Sequence, residues 1–218
     1  NKALKVIRKN NYKYIIFFDD DCEVDKKWFT EMIKMFNKTN ADIIGGPQLT
    51  FSKSIFSQLL IRNEKHGIKT SWVSTNNVIM KSYVLKNNLN FSKKLNLIGG
   101  EDQLFFLNLN KMGFKLRWNA KAKVIENVKK NRENLLWFVK RNLRYGTSAN
   151  LIFREVYGFG IGLALSFLKL ILDFFKSFSY LLISITFSKK NFYKFVMYFC
   201  RTLGMIFGLL GYQYNEYK

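Results

Sequence analysis

The stretch Tyr12–Asp21, Y-K-Y-I-I-F-F-D-D-D, constrains this chain more than any other. Six of its first seven residues are aromatic or β-branched, the mark of a buried strand, and the run leads straight into Asp19, Asp20 and Asp21. Side chains alternate along a strand, so Asp19 and Asp21 are expected on one side and Asp20 on the other. In a mostly parallel sheet the end of such a strand faces the crevice where ligands bind. Three adjacent carboxylates repel one another. A divalent cation held by oxygen ligands, with phosphates completing its shell, gives them a purpose. A strand followed by a plain polar turn is the alternative.

The 218 residues allow one sizeable domain and an appendage. Lys and Arg number 36 against 15 Asp and Glu, a formal charge of +21 that suits phosphate-bearing substrates, nucleic acid or an anionic membrane face. Cys22 and Cys200 lie far apart, which argues against a disulfide, and two cysteines are too few for structural zinc. The first strand arrives within a dozen residues of Asn1, so the chain is expected to be the latter part of a longer protein.

Residues 1–10 pattern as a basic helix with Ala3, Leu4, Val6 and Ile7 inward, and Lys2, Lys5, Arg8 and Lys9 on a solvated or phosphate-facing side. After the acids, Asp25 is placed to cap a helix carrying Trp28, Phe29, Met32, Ile33 and Phe36. Ile43–Gly46 reads as a strand, and its glycine pair allows close approach of backbone or ligand, or marks a turn. Strand, acids, helix, strand is an α/β unit. The segment 51–70 is basic and unpatterned, and its His66 reads as a surface residue. Strands over Trp72–Ser74 and Val78–Met80 bracket Thr75-Asn76-Asn77, whose amides suit sugar hydroxyls and turns equally.

Gly99-Gly100-Glu101-Asp102 opens an apolar helix that Gly113 stops. The glycine pair suggests a mobile loop presenting a carboxylate. Phe114–Trp118 and Lys123–Ile125 are short strands, the second ending at Glu126. A helix over roughly 132–145 is expected to bury Leu135, Leu136, Val139 and Leu143, with Arg141 and Arg144 as neighbours on one face beside Lys140. The arginine fork matches phosphate oxygens, and a solvated basic face is the plainer reading.

The ordered set F-F-D-D-D, T-N-N-V-I-M, G-G-E-D-Q-L-F and R-N-L-R-Y-G resembles the family 2 glycosyltransferases of the inverting GT-A type, over most of residues 1–150. The resemblance implies a mixed, Rossmann-like α/β sheet with flanking helices over residues 1–150, and the composition beyond it points to hydrophobic membrane-associated helices over 151–218. It implies that Asp19 and Asp21, with Glu126 as a further candidate, hold Mg²⁺ or Mn²⁺. Asp20, Arg141 and Arg144 would contact the nucleotide-sugar, Asp102 would be the general base, and Glu101, Asn76 and Asn77 would meet the acceptor. Tyr145 stands where the family's Q/R-x-x-R-W element has tryptophan. The family's first βαβ unit, which cradles the nucleotide base, is expected upstream of Asn1. The implied reaction is transfer of a sugar from a nucleotide-sugar to a hydroxyl of a glycan or glycolipid, with inversion.

After about Arg154 the composition turns apolar. Residues 156–168, 177–188 and 202–215 carry no charge, each run shorter than a comfortable membrane span of roughly 20 residues. Lys169, Asp173 and Lys176 share one helical face, while Phe159, Phe167, Phe174, Phe175, Tyr180, Phe187, Phe192 and Phe195 supply aromatic surface. Gly158-x-x-x-Gly162 and Gly204-x-x-x-Gly208 allow close helix contact. Interfacial or re-entrant helices on the cytosolic leaflet of the cytoplasmic membrane, basic residues towards anionic lipid, reconcile these features. A soluble helical appendage is the alternative.

A different functional class is a non-catalytic basic module for membrane or nucleic acid. It leaves Asp19–Asp21 and Glu101–Asp102 without a role, and no nucleic-acid partner is expected. No Walker-type glycine loop or kinase signature supports phosphotransfer.

Overall fold

The structure, a computed structural model, describes residues 1–185 and 188–214. Phe187 lies outside the described residues. The chain forms two compact units: residues 1–53, 60–92 and 101–128 make the first, and 54–59, 93–100 and 129–218 the second. The expected boundary at residue 150 falls inside a long helix of the second unit.

Helix α1 (Lys2–Lys9) opens the first unit. Leu4 is buried, whereas Ala3 and Val6 are exposed, so the inward stripe is narrower than the pattern suggested. Arg8 does not face solvent or phosphate. Its guanidinium donates to the carbonyls of Leu85 and Leu89 and to Asn90 Oδ1, fastening the helix to the loop after Ser82.

Strand β1 (Tyr14–Phe18) ends one residue before the acids. It pairs antiparallel with β5 (Asn77–Lys81), which pairs antiparallel with β3 (Ile43–Gly45); β6 (Leu116–Trp118) pairs parallel with β3. The four-stranded order is β1-β5-β3-β6, a mixed sheet and not a mostly parallel one. Of β1 only Ile15 is buried, because the strand sits at the sheet edge; Ile16 and Phe18 are exposed. A second sheet joins β2 (Cys22–Val24), β7 (Val124–Glu126) and β4 (Gln48–Thr50) in the order β2-β7-β4. Segment 72–74 is not a strand.

Helix α2 (Trp28–Lys38) starts three residues after Asp25. Asp25 makes a turn instead of a cap, its Oδ1 accepting from Lys27 N at 2.8 Å and its carbonyl from Trp28 N at 2.8 Å. The helix buries Trp28, Met32, Met35 and Phe36 over Ile44, Ile79 and Val124, while Phe29 stays exposed. The other sheet face packs Ile43, Val78 and Met80 against Phe105, Phe106 and Leu109 of α4 (Glu101–Lys111). Gly113, at φ +95°, stops α4 as its position foretold. Helix α3 (Ile55–Leu60) gives the unpatterned segment one short helix, and His66 is exposed.

The second unit is built on α5 (Leu135–Tyr157), α6 (Phe159–Ser184) and α7 (Lys189–Leu209). Helix α5 runs a dozen residues past the expected end, and Leu135 and Leu136 are exposed; Phe138, Asn142 and Ile152 face inward. Glycines bring the helices close. A Cβ on Gly204 would lie 3.0 Å from Gly146 Cα, and one on Gly208 would lie 2.6 Å from the Thr147 carbonyl oxygen.

The polarity of α6 is inverted. Helix α6 buries Gly162, Ser166, Asp173 and Ser177 and turns Phe167, Leu168, Phe174, Phe175 and Phe178 outward. Asp173 is 4% exposed and pairs with Lys169 at 2.8 Å, while Phe175 is 61% exposed. Asp173 therefore belongs to an inner polar seam, with the half-buried Lys169 at its edge and Lys176 exposed. Among the described residues, no helix is long and apolar enough to cross a membrane.

Candidate active site

In the first unit, register fixes which groups share an end of the sheet. Phe18 pairs with Asn77 and Gly45 with Val78, so the acids after β1, the Ser74–Asn76 turn before β5 and the Gly45-Gly46 end of β3 come together. Cys22 N donates to the Asp19 carbonyl at 3.3 Å, and this turn, not strand alternation, gathers the acids. Ligand atoms of Asp19, Asp21 and Cys22 lie within 4.8 Å of one another, a group that could hold a metal ion. Asp20 is exposed.

The donor chemistry narrows that group. Burial, together with the charges of Asp19, Asp21 and Glu126, pushes the Cys22 thiol up to about 11, against a lowering hydrogen bond from Gln48. A neutral thiol is a poor ligand for Mg²⁺ or Mn²⁺, which take oxygen donors, so Asp19 and Asp21 are the fitting pair. Glu126 is not within the close group. It pairs with Cys22 across the β2–β7 ladder.

From Asp21 a run of polar contacts continues across the end of the sheet. Cys22 Sγ lies 3.9 Å from Asp21 Oδ1, and Gln48 Nε2 donates to that sulfur at 3.4 Å. Asn76 Nδ2 donates to Gln48 Oε1. Two residues earlier, Ser74 donates to Asp102 Oδ2 at 2.8 Å, while Gln103 N donates to Oδ1 at 2.7 Å. Asp102 sits in the first turn of α4, where the helix dipole favours a carboxylate. Ahead of it, Gly99 and Gly100 hold φ of +76° and +96°, and Gly99 N donates to the Leu95 carbonyl at 2.7 Å. The glycine pair thus serves a fixed turn. Glu101 and Asp102 are both half-buried.

Asn77 cannot meet an acceptor. It is 1% exposed; Trp28 Nε1 donates to its Oδ1 at 2.7 Å, and its Nδ2 donates to the carbonyls of Pro47 and Ala122 at 2.9 and 2.8 Å. Both donors and the acceptor are spent on the core. Its neighbour Asn76 remains half-buried beside Gln48.

Arg62 is the residue that sequence reasoning passed over in the unpatterned segment. Its guanidinium lies 4.2 Å from the Trp72 ring centre and 4.7 Å from that of Trp118. It donates to the Trp72 carbonyl at 2.9 Å and Thr70 Oγ1 at 2.8 Å, and pairs with Glu64 at 3.2 Å. Burial lowers its pKa, while Glu64 and Asp102 act to raise it.

Arg141 and Arg144 belong to the second unit. They flank Tyr145 at 5.2 and 4.6 Å, and Arg201, also unforeseen, completes the set at 5.5 Å. Burial alone would raise the Tyr145 phenol, but the charges of the three arginines and the Arg141 hydrogen bond bring it below its ordinary value. Arg144 is buried, not on a solvated face, and donates to the Ile98 carbonyl at 3.1 Å. Arg201 donates to Asn142 Oδ1 at 2.9 Å.

Residues 1–100 match the sequence model of the family described as Glycosyl transferase family 2. These residues, a little under half of the chain, are similar to that family. Among curated relatives of the chain is the succinoglycan biosynthesis protein ExoM of Rhizobium meliloti (strain 1021). It is 25% identical over 154 residues, which cover 66% of this chain and 50% of that protein. The chain thus spans half the length of this relative. Solved structures similar to it include TarS of S. aureus, at 15% identity and a TM-score of 0.47, covering 87% of this chain and 31% of that one. Another is A197 from STIV, at 16% identity and a TM-score of 0.43, covering 59% and 65%.

Proposed function

We infer that this chain carries the metal-side acids and the general base of an inverting sugar transfer from a nucleotide-sugar to an acceptor hydroxyl. The observation that supports the reading is the joint placement of Asp19, Asp21 and Asp102 at one end of the sheet, linked through Cys22, Gln48, Asn76 and Ser74. Asp102 takes the acceptor hydroxyl's proton, and the oxygen attacks the anomeric carbon from the side opposite the leaving diphosphate. The new glycosidic bond forms as the old carbon–oxygen bond breaks, and its electron pair leaves on the diphosphate. Asp19 and Asp21 would hold Mg²⁺ or Mn²⁺, which when bound offsets the charge of that leaving group. Asp20 is assigned to donor phosphates, Glu101 and Asn76 to the acceptor.

The same reading places the protein on the cytosolic face of the cytoplasmic membrane, with a glycan or lipid-linked acceptor. Its support is the inverted polarity of α6, whose outward Phe167, Phe174 and Phe175 ask for an apolar neighbour, together with the positive charge that attracts anionic headgroups.

The test uses the complete protein. UDP, GDP or dTDP with Mn²⁺ should raise its melting temperature, and one of the matching nucleotide-sugars should release its diphosphate when a lipid extract is supplied. Stabilisation by nucleic acid alone, steeply weakened by salt, would replace this reading with the basic-module one.

A further inference from the structure

Asp102 is held at both of its oxygens. Oδ1 accepts from Gln103 N of its own helix, and Oδ2 accepts from the Ser74 hydroxyl, 28 residues away on a separate segment. A base abstracts a proton well only when its free lone pair is aimed at the acceptor oxygen, and a carboxylate fixed by a single bond can still swing. The second bond removes that freedom.

The segment that supplies it is itself anchored on three sides. Val73 is fully buried over Gly45, where a Cβ would lie 2.5 Å from Val73 Cγ1. Asn77 N donates to the Ser74 carbonyl at 3.5 Å, closing the turn onto β5. Arg62, clamped between Trp72 and Trp118, ties the Trp72 carbonyl and Thr70 to the β6 side of the sheet. Its charge also acts on Asp102.

We propose that Ser74 is a positioning residue for the reaction, fixing the Asp102 carboxylate through Oδ2, and that Arg62 braces the segment presenting it. The inference rests on Asp102 being the base, and it makes a demand that reading alone does not. Activity must depend on the hydroxyl at position 74, although that hydroxyl need touch neither donor nor acceptor.

The experiment follows diphosphate release by the complete protein, with Mn²⁺, the lipid extract as acceptor source, and whichever of UDP-glucose, UDP-N-acetylglucosamine or GDP-mannose the wild type turns over. Ser74→Ala should lower kcat about 10- to 100-fold, the equivalent of one hydrogen bond to a charged group, with donor KM unchanged. Ser74→Thr, which keeps the hydroxyl, should recover most of the loss. Ser74→Cys keeps the volume with a weak donor, so it should resemble Ser74→Ala and serves if the alanine variant does not fold. Adding Ser74→Ala to Asp102→Asn should cause no further fall, since the two act as one unit. Wild-type kcat in Ser74→Ala, equal losses in the alanine and threonine variants, or additive losses in the double variant would each overturn the positioning role. Wild-type turnover in Asp102→Asn would instead remove the base assignment beneath it.

Discussion

Ser74 Oγ and Asp102 Oδ2 stand 2.8 Å apart, joining the turn before β5 to the first turn of α4. The bond brings a carboxylate from one motif to the end of the sheet where Asp19 and Asp21 gather. Replacing Asp102 by asparagine keeps the shape and removes the basic lone pair. Turnover should fall about 10²- to 10⁴-fold, the usual contribution of a positioned base, while nucleotide protection with Mn²⁺ persists. Steady-state release assays beside melting curves separate the two effects.

The two neighbouring asparagines should behave in opposite ways. Asn77→Ala strands the Trp28 indole N–H and the Ala122 carbonyl, each unsatisfied group costing about 1–3 kcal/mol, while the Pro47 carbonyl keeps Val124 N as a donor. Asn76→Ala removes one partner of Gln48 in a half-buried place, and its effect on stability should be small. Urea unfolding of both variants decides whether Asn77 belongs to the core or to the acceptor site.

Much of the first unit was legible because hydrophobic pattern and glycine placement reported it. The β1 run, the apolar stripe of α2 and the stop at Gly113 were all visible along the chain. Partners across the fold were not. An asparagine amide reads the same whether it meets a sugar or three backbone and indole groups, so only burial assigns Asn77 to the core. Ser74, Gln48, Arg62 and Arg201 act through contacts made by chain topology, and nothing adjacent in sequence announces them. The Ser74 position bordered the T-N-N motif, and that was the one available signal. Helix α5 outran its expected end because its later turns bury small and polar residues, Gly146, Thr147, Ser148 and Asn150, which carry no apolar stripe to follow.

Gly46 should tolerate no side chain. A Cβ there would run into the Ala122 carbonyl oxygen and would lie 2.7 Å from Asn77 Nδ2 and 3.1 Å from the Asn119 carbonyl oxygen. These neighbours are backbone or a fully bonded amide, so they yield poorly. Gly46→Ala should lose about 1–3 kcal/mol of stability or more, a range typical of overpacking. A melting temperature equal to the wild type would show that β3 and the loop at Ala122 separate easily.

Two tyrosines should titrate on opposite sides of an ordinary phenol. Burial, with the hydrogen bond and charge of Asp42, pushes Tyr83 up to about 12. Its folded-state value exceeds the unfolded one, so its contribution to stability is complete below about pH 10 and is lost as the pH climbs towards 12. Tyr145 is shifted the other way despite burial, by Arg141, Arg144 and Arg201. Its contribution is complete above the unfolded value and is lost as the pH falls through the lowered one. Difference titrations of tyrosinate absorbance, wild type minus Tyr83→Phe and wild type minus Tyr145→Phe, should show the late and the early phenol respectively.

The inverted helix α6 gives the membrane reading its sharpest test. In water, outward Phe167, Phe174 and Phe175 leave apolar area uncovered, whereas a bilayer interface removes it from water at about 25 cal/mol per Å². Changing all three to serine should leave the inner seam of Ser166, Asp173 and Ser177 undisturbed and the melting temperature near that of the wild type. It should also abolish flotation with vesicles containing phosphatidylglycerol. Lys176→Glu and Lys190→Glu, both exposed, should weaken flotation only at low salt, because screening removes the attraction between exposed charge and headgroup. If the triple serine variant floats as well as the wild type, the outward face of α6 does not meet lipid. A dimer that dissociates on the same substitution would name a second copy of the chain as its cover.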